Sequence, residues 1–243
     1  MANIVYNSFE TYVENIKLVL LFSIPFIIAF AIPLFAPMPT YITAGSTFLR
    51  TASIFTNMNI ASIAIVVVSS FFSLLFLSFA FVAISFIVKS KRTYAKTTKS
   101  VLEGIERYTG KVFIVFLVYA ALLIIFNIIG YYIGYQGIVT SIFGFVAFLF
   151  VFYAPSAIVI DNKKIWRAIK DSTKLIFREP QYFIIWLALG ILVLTLFDAF
   201  FIYTLGTFYS RYAMLLFSSL FILPYFVIFQ AEAYMKRFPL LKH

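Results

Sequence analysis

The stretch Lys111-VFIVFLVYAALLIIFNIIGYYIGYQGIVTSIFGFVAFLFVFYAPSAIVI-Asp161 holds forty-nine residues between its two charged ends, and none of them is charged. Hydrocarbon rejects ionised side chains, and one helical crossing takes about twenty apolar residues. The run therefore reads as two membrane crossings joined by a tight turn.

Composition points the same way. The chain of 243 residues is 63% hydrophobic and 12% charged, with a mean hydropathy of +1.03, whereas a soluble domain carries about a quarter charged residues. Other apolar runs extend the pattern to six predicted crossings, near Leu18 to Phe35, Ile60 to Val88, Val112 to Tyr132, Ile138 to Ile160, Tyr182 to Leu205 and Tyr212 to Tyr234. Backbone groups in lipid must pair within the segment, so the spans are helical. The expected fold class is all-α, an integral membrane bundle forming one polytopic domain over residues 1–243. A cleaved leader is not expected: Glu10 and Glu14 outweigh Lys17 ahead of the first apolar run, where a signal peptide carries positive charge.

Direction follows from the loops. The first, third and fifth connections hold only Arg50 and Arg211; the remaining seventeen Lys and Arg fall in the N-terminal segment, the second and fourth connections and the C-terminal tail. Positive residues stay in the cytoplasm, which predicts a multi-pass protein of the cell membrane with both termini inside. A cysteine at Thr47 is then expected to face outward and one at Lys99 inward. The net charge of +10 meets anionic headgroups first, so membrane lipid rather than nucleic acid is the expected partner.

The stretches before crossings one, three and five are amphipathic. Asn3, Asn7, Glu10, Glu14 and Lys17 line one face, with Val5, Phe9, Tyr12, Val13 and Ile16 opposite. Lys163, Arg167, Lys170, Lys174 and Arg178 form a basic ridge before Pro180, and Arg92, Lys96 and Lys99 begin a comparable one. Such helices lie in the membrane surface. The chain thus divides into three expected units of in-plane helix plus transmembrane hairpin, about 1–88, 89–160 and 161–243. A shift of 71 residues superposes Ile105 on Ile176, Arg107 on Arg178, Phe126 on Phe197 and Asn127 on Asp198.

The segment Ala154-Pro155-Ser156-Ala157-Ile158-Val159-Ile160-Asp161-Asn162, continuing through Trp166-Arg167-Ala168-Ile169-Lys170-Asp171-Ser172, resembles the polytopic membrane domain of glycerophosphoryl diester phosphodiesterases and its stand-alone prokaryotic relatives. In that family a proline-containing crossing ends in a short polar turn. An amphipathic helix with an Ala-x-x-x-Ser core follows, and Ala168 and Ser172 match that spacing. The resemblance extends along the chain through its alternation of elements. It implies a membrane module without catalytic residues of its own, the chemistry of fused relatives residing in a separate soluble domain.

Asp198 is the carboxylate placed well inside a predicted crossing, and an intramembrane charge is a functional candidate by default. Two readings stand: a structural lock with Arg211 or Arg50, or a polar site with Asn127 across the repeat axis, suited to an ion or a headgroup. Glu232 reads as a surface ion pair with Lys236 four residues on. Asp161 and Asp171 read as parts of a solvated, lysine-rich face. The sole histidine is His243, and the chain has no cysteine. No catalytic constellation, metal site or cofactor motif is expected.

These features suggest a non-catalytic membrane protein that organises lipid or recruits a cytoplasmic partner at the inner leaflet, through Lys163, Arg167, Lys170, Lys174, Arg178, Arg92, Lys96 and Lys99. A homo-oligomer is compatible with the same layout. The alternative is a channel or transporter subunit, such as the membrane-spanning permease of an ATP-driven exporter.

Overall fold

Asn15 separates two helices, α1 (Ala2–Glu14) and α2 (Ile16–Phe35), at the start of a chain that is helical along most of its length. The computed structural model describes residues 2–36, 40–49, 59–93 and 97–236. A short antiparallel hairpin follows, β1 (Thr40–Thr43) and β2 (Ser46–Leu49). Then come α3 (Ile60–Thr93), α4 (Thr97–Ile133), α5 (Gln136–Val151), α6 (Ala154–Asp161), α7 (Ile165–Arg178) and α8 (Pro180–Phe217). A π-helical turn at Ser218–Ile222 leads into α9 (Leu223–Met235).

Among the described residues, five stretches are long and apolar enough to cross a membrane: Ile16–Phe35, Ile60–Lys91, Val101–Ile133, Gln136–Asp161 and Pro180–Met235. The expectation of a helical bundle holds at this level. The fifth stretch has 56 residues, which as one straight rod would be about 84 Å long, far more than the ~30 Å hydrocarbon layer. It is not straight. Gly206 has φ 74° and ψ 168°, a backbone shape favourable to glycine alone. Beyond it Phe217 meets Phe197 at 4.4 Å between ring centroids, and Phe226 meets Trp186 at 5.4 Å. Chain positions progressively farther from Gly206 on each side meet one another, so the stretch doubles back there.

Two features differ from the expected architecture. The basic stretch ahead of the third apolar run is not a separate in-plane helix but the first turns of α4, which runs unbroken for 37 residues. No proline interrupts it, unlike the Glu179–Pro180 junction between α7 and α8. Its Gly104 is where α4 touches α3, since a Cβ there would collide with the Phe86 ring. The second difference is the β-hairpin. Ala44 and Gly45 both have positive φ, 46° and 70°, as a two-residue I′ turn requires.

Between α5 and α6 the helix is interrupted at Phe152 and Tyr153, just ahead of Pro155, which lacks an N–H and obstructs the carbonyl four residues back. In an apolar interior the freed backbone groups need partners, and side chains from two other helices supply them. Tyr153 N–H donates to Ser172 Oγ at 2.9 Å, and the Gln230 amide donates to the Phe152 carbonyl. Ala168 and Ser172 are fully buried on the inner face of α7, so the matching Ala-x-x-x-Ser spacing is the contact surface of that helix.

The polar ends of the helices gather at one end of the bundle. Lys91 pairs with Glu14 at 2.6 Å, linking α3 to α1, and Lys89 donates to the Val159 carbonyl at 2.7 Å, linking α3 to α6. Thr11 donates to Glu232 at 3.4 Å, linking α1 to α9. The hairpin lies at the other end, where Ser218 Oγ donates to the Gly45 carbonyl. Contact with α9 also decides which face of α1 is inward: Ile4, Ser8, Thr11 and Tyr12 are buried, while Phe9 and Val13 remain exposed. Small hydroxyl residues let two helices approach closely, so Ser8 and Thr11 face the protein beside Ile4 and Tyr12, while Phe9 and Val13 face outward.

Candidate functional site

Among the described residues, three places stand out for the polar or concave features a function needs. The first is a cavity of about 450 Å³ between the hairpin and the doubled-back stretch, lined by Tyr41 to Gly45 on one side and by Asp198, Thr207, Ser210 and Arg211 on the other. The structure brings Asp198 and Arg211 to the wall of one cavity. Among the described residues no ion pair joins them. Asp198 is half-buried and Arg211 exposed. Arg50 lies outside the described residues.

Asn127 is not part of this site. Its amide donates to Thr140 at 3.2 Å and its carbonyl oxygen accepts from Gln136 at 2.7 Å, so it fastens α4 to α5 beside their connecting turn. Of the two readings of Asp198, the polar site shared with Asn127 is corrected accordingly. Equivalent positions in two hairpins need not be neighbours, and Asn127 finds its partners within its own hairpin.

The second place is a cavity of about 380 Å³ in the middle of the bundle. Phe26, Phe81, Phe148, Trp186 and Phe226 contribute to its wall, with Pro155 and Gln230 where the broken helices meet. Its size falls within the range of small-molecule sites, and its lining is almost wholly apolar.

The third is the outer face of α7. Arg167, Lys170, Lys174 and Arg178 are exposed there, beside the exposed rings of Trp166 and Phe177. Helical spacing places these two aromatics on one flank of the basic ridge, while Ala168, Ser172, Leu175 and Ile176 face the bundle.

Lys163 leaves that ridge. Its ammonium lies 2.9 Å from Asp161 and 2.7 Å from Asp171, and it donates to the Tyr234 hydroxyl at 3.1 Å. The Tyr234 hydroxyl donates to Asp161 at 2.6 Å and closes the cluster. Burial alone would lower the lysine's pKa, but hydrogen bonds to Asp171, Asp161 and Tyr234 outweigh it and hold the group above its ordinary value. The solvated reading of Asp161 and Asp171 is corrected too. Both are largely shielded carboxylates that tie the α6–α7 turn to α9. The sequence carried no such signal, since Lys164, Arg167 and Lys170 also lie between Asp161 and Asp171; contact with Tyr234 on α9 is what singles out Lys163.

Glu232 is likewise no surface residue. It is 6% exposed and accepts from Thr11, while Lys236 lies over the Tyr182 ring, 5.0 Å from its centroid. The contact between α1 and α9, which the sequence did not reveal, buries it. Lys96 lies outside the described residues; Arg92 and Lys99 fall within α3 and α4, but their side chains lie outside the description. Comparison with protein-family models, curated proteins and solved structures finds no match.

Proposed function

We propose that this is a non-catalytic, multi-pass protein of the cell membrane that organises anionic lipid at the inner leaflet through α7. The observation that carries the reading is the outer face of that helix, where four exposed cations stand beside exposed Trp166 and Phe177. Cations on a helix at the inner surface attract anionic headgroups, at about 1 kcal/mol per Lys or Arg, and aromatic rings anchor at the same depth.

In this reading the doubled-back fifth stretch makes two crossings, six in all, and both termini are cytoplasmic because seventeen of nineteen basic residues fall on their side. The three units remain related as amphipathic helix plus hairpin, with the second amphipathic segment continuous with its crossing. The resemblance to the phosphodiesterase-linked membrane domain accords with a module that carries no chemistry. The exposed face of α7 also suits a cytoplasmic protein partner or a second copy of the chain.

The test uses Trp166 as a reporter. The chain has two tryptophans, so Trp186→Phe leaves one indole, on α7. In nanodiscs, lipids brominated near the top of the acyl chain are expected to quench it strongly, and anionic lipid is expected to be enriched around the protein. Neutralising Arg167, Lys170, Lys174 and Arg178 to Gln removes the enrichment. An unquenched Trp166 overturns the reading.

One observation favours a second reading, a channel or transporter subunit. The interrupted α5–α6 segment lines the central cavity through Val151, Phe152 and Pro155, opposite Phe226 and Gln230 of α9, and transporters commonly build midplane sites from discontinuous helices. Copurification of an ATPase from native membrane distinguishes it.

A further inference from the structure

The cavity at the hairpin end presents a carboxylate and a guanidinium with no ion pair between them. Opposite charges facing one cavity without pairing to each other can each be met by a single ligand bearing one charge of each sign. Arg211 also lines a second cavity, of about 280 Å³, shared with Tyr41 and Ile42 and continued by Leu34, Thr40, Phe208 and Tyr212. Arg211 is thus common to a compartment holding Asp198 and hydroxyl groups and one whose wall includes Leu34, Phe208 and Tyr212 beside Thr40.

We infer that this end of the bundle binds a zwitterionic phospholipid with a primary ammonium, of the phosphatidylethanolamine type. Asp198 receives the ammonium and Arg211 the phosphate, for which its planar fork is suited. The glycerol and the start of the acyl chains run toward Leu34, Phe208 and Tyr212. Thr207 and Ser210 stand beside the headgroup as hydrogen-bonding groups. A quaternary ammonium would call for a cage of aromatic faces, and the Asp198 compartment has one aromatic ring, Tyr41. The preference is therefore for an ammonium that can donate hydrogen bonds.

The site rests on the bundle being embedded in lipid, and the lipid it takes is distinct from the anionic lipid assigned to α7. Its test is native mass spectrometry of the full chain released from nanodiscs containing equal phosphatidylethanolamine and phosphatidylcholine. The wild-type protein is expected to retain one phosphatidylethanolamine at least tenfold in preference to phosphatidylcholine. Asp198→Asn and Arg211→Gln each lower that retention tenfold or more, and Glu10→Gln, on the exposed face of α1 at the other end, leaves it unchanged. Equal retention of the two lipids by the wild-type protein overturns the site, and this comparison stands even where the variants fail to fold. Folded variants that retain the lipid as the wild type does overturn it as well. Glycerophosphoethanolamine has the same phosphate and ammonium without acyl chains; if it displaces the lipid at matched concentration, the ligand comes from solution and the lipid assignment fails. A chain that stays dissolved without detergent would instead overturn the membrane reading beneath it.

Discussion

The Tyr153 backbone N–H donates to the Ser172 hydroxyl at 2.9 Å, across nineteen residues and from one helix to another. Pro155 opens the helix, and a serine on α7 supplies the acceptor that the helix itself no longer provides. The relationship gives the Ala-x-x-x-Ser spacing a physical purpose: Ala168 permits close approach and Ser172 satisfies a buried donor.

Ser172→Ala is therefore expected to leave a buried N–H without its partner, at a cost of about 1–3 kcal/mol. Thr173→Ala, whose hydroxyl bonds only the Ile169 carbonyl of its own helix, should cost within about 0.5 kcal/mol. Denaturation of both variants in mixed micelles checks the difference, and equal losses would contradict the account.

Removing the charge of Lys163 strands two shielded carboxylates. Lys163→Met should destabilise the α6–α7 turn by about 1.5–3 kcal/mol, the scale of hydrogen bonds to charged groups. Because the folded lysine has a raised pKa, its contribution is complete below the ordinary lysine value of about 10.4 and is lost only as pH rises through the higher folded value. The stability difference between wild type and variant should therefore stay flat from about pH 7 to 9 and shrink above about pH 10.4. A difference that vanishes near neutrality would rule out this role.

Adjacent turn residues of the hairpin should respond oppositely to substitution. A Cβ at Gly45 would lie 2.5 Å from the Ser218 side chain and 3.2 Å from the Met214 carbonyl, at φ +70°. Gly45→Ala combines left-handed strain of about 1–2 kcal/mol with overpacking of similar size. Ala44→Gly relieves strain at φ 46° while adding freedom to the unfolded chain, and should fall within about 0.5 kcal/mol of wild type. Thermal unfolding in detergent distinguishes the two; a tolerated Gly45→Ala would mean that the hairpin tip is not docked.

The apolar runs made the helical membrane character legible because charge exclusion acts on each stretch separately. What escaped depends on contacts between distant stretches. Glu232 and Lys236 are four residues apart in sequence, yet burial against Thr11 takes one inward and the Tyr182 ring holds the other. Asn127 and Asp198 superpose by periodicity, but Gln136 and Thr140 meet the asparagine first. The hairpin had a local signal, Gly45 between two short runs rich in Thr, Tyr, Ile and Phe, which the surrounding hydrophobicity obscured. The continuity of α4 follows from the absence of a proline where α7 and α8 have one.

The central claim is that lipid surrounds this bundle and that α7 lies on its inner surface. Because the chain has no native cysteine, single Thr43→Cys and Lys170→Cys variants, both at exposed positions, can be challenged in intact cells with a membrane-impermeant maleimide. The account predicts that the Thr43→Cys thiol is labelled at once and the Lys170→Cys thiol only after permeabilisation. Labelling of Lys170→Cys in sealed cells, with Thr43→Cys protected, would contradict it.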